Sequence, residues 1–511
     1  MATIPTTTRS MRILRTIVDR FASRAERRYH PGIALAVIVT CQLMLVLDAT
    51  VVNIALPQIQ RDLHFSPTSL SWIFNAYMLT FGGLLLLGGR AGDILGRRRV
   101  FIAGILLFTV ASLLGGFATS AAMLIVTRAA QGVGAAFAAP STLALIATNF
   151  EEGPKRTGAL SIYSAVASAG GSLGLVLGGL LTAWGSWRLV LFINVPVGIA
   201  VMLLAPIFIR EPERRPGRLD IAGALTATAG MASLVFAFIR ASSSGWGNAL
   251  TIWAFVAATA LLALFLTIEA RTAQPIMPLR LFANRNRASA YLNILLFFAT
   301  MFGVFFFLTQ FLQDVLGFSP IIAGLAFLPM TVPMFATVRT IPRLLPRFGA
   351  KPIMIVGAVL LAGGILWLSR ISVASAYFPD ILGPMVLLGT GVGCSILPLN
   401  VVILSGVGQD DAGAASGIQQ TMQQTGASLG LAILVTVFGA ASSSAARHPL
   451  AHASVQVQAH SILAQGIVSA LTVGVIFAVS ALIVAVIAIN THPTKASNEE
   501  ASTGVGLDAG L

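Results

Sequence analysis

"GGRAGDILGRRRVF", residues 88–101, places one acid and four arginines (Arg90, Asp93, Arg97, Arg98, Arg99) in a single short bend. Only 10% of the 511 residues are charged, and the bend lies between two long apolar runs, near 69–89 and 100–118. The simplest reason for such a break is that the chain leaves one membrane crossing here and enters the next. The composition agrees. With 56% hydrophobic residues, the chain has too little polar surface to cover a soluble core of this length, so it is a membrane protein.

Crossing the ~30 Å hydrocarbon layer takes roughly 20 apolar residues in a helix. Outward from the bend, runs of that kind fall near 33–56, 69–89, 100–118, 122–147, 157–182, 188–209, 221–239, 249–268, 289–312, 321–341, 352–369, 377–404, 415–440 and 463–490, which makes fourteen. Lipid offers no partners for backbone groups, so each is expected to be helical.

The formal charge of +14 invites a nucleic-acid reading, but its placement argues for topology. With the N-terminus placed in the cytoplasm, cytoplasmic segments hold 26 Lys and Arg and the opposite side holds 5, leaving Arg128 inside a span. That is the positive-inside bias, and it puts both termini in the cytoplasm of a multi-pass protein of the cell (inner) membrane. No nucleic-acid partner is expected. The two cysteines, Cys41 and Cys394, sit in apolar runs and support no disulfide framework. His448, His452 and His460 lack a companion cysteine or carboxylate, so no metal site is expected.

The N-terminal residues 11–29 place Met11, Leu14, Ile17, Val18, Phe21 and Ala25 on one helical stripe among arginines, as in a helix lying on a membrane surface; a basic tail without structure fits equally well. An internal repeat aligns "GDILGRRRVF" (92–101) with "LPRFGAKPIM" (345–354), matching Gly96 to Gly349 and Arg98 to Lys351. Eight spans separate the two bends where a doubled six-span unit would give six, so two spans are inserted between the halves. The expected domains are a basic N-terminal segment (1–32), a first six-helix half (33–209), two inserted helices with linkers (210–288), a second six-helix half (289–490) and a disordered cytoplasmic tail (491–511).

Topology accounts for the arginines of the opening bend and leaves Asp93 unexplained. A half-buried carboxylate there can accept hydrogen bonds from arginines or face a helix N-terminus. A cluster that forms in one conformation and breaks in another would act as a latch, here Gly89, Arg90, Asp93, Gly96, Arg97, Arg98 and Arg99. "GGRAGDILGRRRV" resembles the signature loop of the major facilitator superfamily, G-x-x-x-D-x-x-G-R-[RK]-[RK]. "LDATVVNIALP" (47–57) is similar to the first-helix motif of its 14-span drug:proton antiporter branch. "RAAQGVGAAFAAP" (128–140) is similar to the fourth-helix motif, and "GGSLGLVLGGLLT" (170–182) to the fifth-helix antiporter motif. One position departs from the pattern: Gly174-Leu175 stands where Gly-Pro is frequent, so the kink associated with that proline is expected to be weaker and strict antiport is not implied there. The resemblance implies an all-α polytopic fold, two six-helix halves of the major facilitator type plus two inserted helices. It also implies alternating access driven by the proton gradient.

Asp48 is the one acid deep in an apolar run of the first half, and Arg128 the one base deep in a span. A charge at the bilayer centre costs about 2.5–3.5 kcal/mol even on insertion scales, so Asp48 needs a partner or a cavity. Burial favours its neutral form and a nearby guanidinium its charged form; the sequence does not rank the two. Asp48, Arg128 and Gln131 are the expected proton-coupling residues, with a static buried pair as the competing reading. Gly170, Gly174, Gly178 and Gly179 form a small-residue surface for packing between the halves. Amides are expensive in lipid, so Asn53, Asn75, Gln310, Gln313, Asn400, Gln420, Gln423 and Gln424, with Tyr77, are candidate cavity walls. Trp72, Trp184 and Trp187 are expected as interface anchors.

The expected function is proton-coupled export of lipophilic, cationic drugs or toxic compounds. Export of a specific endogenous metabolite or lipid is the alternative within transport, and a non-transporting membrane sensor the alternative outside it. No convergent His, Cys or multiple-acid constellation supports an enzyme. No G-x-x-x-x-G-K-[ST] signature supports an ATP-driven pump. No cofactor is expected; the partners are a small-molecule substrate, protons and the lipid bilayer, and the chain is expected to work as a monomer.

Overall fold

The computed structural model describes residues 30–212, 214, 216–449 and 454–490. The surface-helix reading of residues 11–29 and the tail after 490 lie outside these. The described chain is a bundle of long helices: α1 (Pro31–Asp62), α2 (Trp72–Leu95), α3 (Arg97–Gly116), α4 (Ala121–Asn149), α5 (Pro154–Trp184) and α6 (Leu189–Phe208). Two more follow, α7 (Ile221–Ser244) and α8 (Ala249–Arg271). The last six are α9 (Arg285–Gln310), α10 (Pro320–Phe348), α11 (Ala350–Leu368), α12 (Leu382–Leu404), α13 (Gln409–Arg447) and α14 (Val455–Ile483). Among the described residues, thirteen are straightforwardly long and apolar enough to cross a membrane, and α5 makes fourteen when its two segments count as one span. Those segments meet at 45° between Gly171 and Leu173, so α5 bends without the proline absent after Gly174.

The two bends that align in sequence are also alike in shape. Gly96 closes α2 at φ +109° and Gly349 closes α10 at φ +77°, both in the region where a side chain is strained. Immediately after each, a cation crosses to the end of the sixth helix of its half. Arg98 donates from Nη1 to the Ile209 carbonyl at 2.9 Å, and Lys351 Nζ donates to Asn490 Oδ1 at 3.3 Å. The packing repeats too. Gly104 of α3 lies against the Gly134 carbonyl of α4, and Gly357 of α11 lies against the Gly391 carbonyl of α12; a methyl at either first glycine would come within 3 Å of that oxygen.

The inserted α7 packs on the line where the halves meet. Val235 and Ile239 bury against Leu79 of α2 and Ala432 of α13. Thr436 of α13 donates to the Phe238 carbonyl at 2.7 Å. Of the tryptophans expected as interface anchors, Trp184 is exposed, whereas Trp187 is buried and donates from Nε1 to Asp62 at 2.8 Å. Its anchor reading is corrected: the indole is spent inside the protein, under the Arg188 guanidinium.

A methyl at Gly96 would lie 2.6 Å from Glu211 Oε1, whereas at Gly349 it would meet nothing within 4 Å. Gly96→Ala is therefore expected to lower stability by more than Gly349→Ala, with the backbone part alone about 1–3 kcal/mol. Thermal unfolding of the two purified variants checks this, and equal losses would refute the steric argument.

Candidate functional site

The site is built by α1, α2, α3, α4 and α6. Asp48 on α1 and Arg128 on α4 are both fully enclosed, and Arg128 Nη1 donates to Asp48 Oδ2 at 2.6 Å. Gln131, one turn further along α4, donates from Nε2 to Asp48 Oδ1 at 3.0 Å, and its own Oε1 accepts from Arg128 Nη1 at 3.0 Å. The i, i+3 spacing puts both on one helix face. Two residues that the sequence reading missed complete the set. Asn194 of α6 donates to Asp48 Oδ1 at 2.8 Å, and Ser112 of α3 accepts from Gln131 and Asn194. Their signal is a polar residue within an apolar run, weaker than that of a charge.

Asp48 thus accepts three hydrogen bonds, one of them from its ion-pair partner Arg128, in a fully enclosed position. Such a pair holds because both oxygens of its carboxylate are answered. Arg128 is also tied to α2, where Nε donates to the Ile73 carbonyl at 3.1 Å and the guanidinium carbon stands 4.5 Å from the Tyr77 ring centre. Arg128 Nη2 and the Tyr77 hydroxyl have no protein partner.

The other predicted polar residues divide into those that bond across the halves and those that do not. Asn53 of α1 donates to Thr309 Oγ1 at 2.8 Å and to the Phe305 carbonyl at 3.0 Å. Gln313 donates to the Ile54 carbonyl at 2.8 Å. Asn75 of α2 accepts from Ser428 of α13 at 2.9 Å, with both side chains fully buried. These three residues join the first six helices to the last six. Gln310 bonds its own helix at Phe306, and Asn400 accepts from Gln419. Gln420, Gln423 and Gln424 are half-buried along α13, with the Gln424 stem against Gly82 of α2.

The glycines of α5 face two ways. Gly170 meets Val46, Gly174 meets Thr50 and Gly178 meets the Val51 carbonyl, so these three seat α1 of the same half. Only Gly179 of the four reaches the other half, against the Pro320 carbonyl of α10, and Gly324 of α10 returns the contact at Leu175.

In the opening bend Asp93 pairs with Arg97 one turn on. The helix N-terminus is answered by a different acid: Glu211 Oε1 accepts from the Arg98 backbone N–H at 3.1 Å, and its other oxygen lies 3.4 Å from Arg98 Nε. Arg90 Nη2 donates to Gln274 Oε1 at 2.9 Å in the linker after α8. Arg99 is exposed, and Gly89 approaches Pro140 of α4. The bend is thereby fastened to α6 and to the inserted pair.

A sequence model described as the Major Facilitator Superfamily matches residues 38–431. The chain belongs to that superfamily. It is 44% identical over 415 residues to the cephamycin export protein CmcT of Amycolatopsis lactamdurans, covering 80% of this chain and 85% of that one. It is 41% identical to the puromycin resistance protein pur8 of Streptomyces alboniger, over 92% of this chain and 93% of the relative. Among solved structures it resembles a bacterial homologue of the human lysosomal transporter Spinster, with a TM-score of 0.66 and 17% identity, covering 90% of this chain and 97% of that one. As a major facilitator protein it is a multi-pass membrane transporter, and the buried Asp48 cluster stands inside its first half.

Removing one member of this pair leaves the other charge unanswered. Arg128→Leu is expected to lose about 3–5 kcal/mol of stability, and Asp48→Asn added to it should recover much of that loss. Thermal unfolding of the single and double variants measures the recovery; an Arg128→Leu protein as stable as wild type would refute a charged pair.

Proposed function

We propose that this transporter exports lipophilic antibiotics or other toxic small molecules across the cell membrane in exchange for protons. The observation that carries this reading is the enclosed Asp48–Arg128 pair and its connection to α2. Charged Asp48 holds Arg128, and Arg128 holds α2 through the Ile73 carbonyl and the Tyr77 ring. Two residues beyond Ile73, Asn75 bonds Ser428 in the other half. A proton on Asp48 removes the ion pair, frees the guanidinium and weakens its hold on α2. The change is then delivered to the α2–α13 seam, one of the lines along which the halves would rock. Inward movement of one proton supplies about 2.3 kcal/mol per 100 mV, plus the pH term.

The relatives' roles in cephamycin export and puromycin resistance support antibiotics as cargo. They also favour a second reading, export of one endogenous antibiotic rather than a range of drugs. The Asp48 charge is matched by Arg128, so that carboxylate is not free to meet a cationic cargo while the pair stands. Both termini on the cytoplasmic side and a monomeric unit complete the proposal.

In everted vesicles, adding substrate should dissipate an imposed pH gradient with wild-type protein and not with Asp48→Asn at equal protein level. Undiminished dissipation by Asp48→Asn would refute Asp48 as the coupling acid.

A further inference from the structure

A cavity of about 360 Å³ opens where α11 ends and the chain returns to α12, in the second half and outside the Asp48 cluster. Gly363, Leu366, Trp367 and Arg370 line it at i, i+3, i+4 and i+7, on one face of α11 continued through the turn that ends it. All four are exposed. Ser375 and Asp380, from the loop leading to α12, line it as well and are half-buried. A side-chain carbon added at Gly363 would meet nothing within 4 Å, so the stripe carries an open notch at its apolar end. Trp367 leans on α12, where a Cβ at Gly383 would lie 2.8 Å from its ring, yet the indole stays 42% exposed.

The lining is sorted by polarity across the membrane boundary. Gly363, Leu366 and Trp367 belong to the apolar span Ala350–Leu368, whereas Arg370, Ser375 and Asp380 lie beyond its last residue. A helix advances about 1.5 Å per residue, so the three apolar positions stay within about 8 Å of the span's end. An exposed indole at that level belongs to the headgroup layer. The charges beside it are uncommitted. Among the described residues Arg370 has no side-chain hydrogen bond and no ion pair. Asp380 Oδ2 accepts the Ala376 N–H at 3.1 Å, and the carboxylate has no ion pair among them either. Cation and carboxylate thus line one cavity without meeting, an arrangement that suits a ligand bringing both opposite charges. A plain anion would face Asp380, a soluble zwitterion has no use for the notch, and a hydrocarbon has none for the charges.

We propose that this cavity binds the headgroup of a zwitterionic aminophospholipid, its phosphate on the Arg370 guanidinium, its ammonium on the Asp380 carboxylate and the start of an acyl chain in the notch at Gly363. A guanidinium matches phosphate oxygens, and a primary ammonium brings hydrogens for the carboxylate. In the topology proposed above, this end of α11 faces away from the cytoplasm, so the lipid comes from the outer leaflet. Held there, it anchors the α11–α12 corner at the level of the headgroups.

Native mass spectrometry of the purified full-length protein, titrated with phosphatidylethanolamine, phosphatidylcholine and phosphatidylglycerol, tests this without any transport measurement, so its result is separate from that of the coupling acid. Other lipid contacts are common to wild type and variants, and the difference between them isolates this site. Wild type should retain phosphatidylethanolamine roughly threefold to fivefold better than either other lipid, the scale of an exposed charged contact. Arg370→Gln should lower retention of all three, and Asp380→Asn should erase the preference for phosphatidylethanolamine. Gly363→Leu should weaken retention with both charges intact. Equal retention of the three lipids by wild type, or a preference that survives Asp380→Asn, overturns the headgroup assignment. Soluble phosphoethanolamine that displaces the lipid and binds Gly363→Leu as well as wild type would mark a site for a free zwitterion and overturn the lipid assignment.

Discussion

A carboxylate sealed among helices in lipid cannot be left unanswered, and much of the first half is arranged around that fact. Asp48 receives Arg128, Gln131 and Asn194 from two other helices, while Ser112 on a third takes up the remaining amide hydrogens. Four helices are thereby held at fixed relative heights by groups that hydrocarbon cannot replace. In the proposed mechanism the same constraint makes the site sensitive to a single proton. Neutralising the acid changes the value of every bond in the set at once, without moving any helix through lipid.

The second half is joined to this cluster through α2, whose successive faces serve different neighbours. Ile73 and Tyr77 face Arg128, Asn75 faces Ser428, and Leu79 and Gly83 face the inserted α7. A helix with three engaged sides cannot turn without being registered on all of them. That gives the inserted pair a mechanical position, against the seam, that a peripheral addition to the fold would lack.

The span count, the paired bends and the Asp48–Arg128 contact were legible in the sequence because lipid suppresses alternatives. A charge inside an apolar run has few permissible explanations, and a glycine between a helix end and a basic cluster has few permissible shapes. Medium-polar residues were less legible. Ser112 and Asn194 do not stand out among the many hydroxyls and amides of the chain, and only tertiary contact singles them out. Asn53, Asn75 and Gln313, read as cavity walls, also bond across the halves, since an amide can satisfy lipid's demand by facing water or by binding across a seam. Glu211 and Gln274 lie in linkers, where polarity is ordinary and carries no signal.

The repeat is faithful in scaffold and unequal in chemistry. Gly104–Gly134 has its counterpart in Gly357–Gly391, yet from Ala288 to Gln313, and through the middles of α10 to α14, the later half holds no charged side chain to set beside Asp48. Its acid in the α9 span, Asp314, stands at the helix end, so the stretch between can vary by ordinary apolar exchange. Substitutions there leave the Asp48 hydrogen-bond set of the first half untouched, so under the proposed mechanism new specificities could arise without rebuilding the engine.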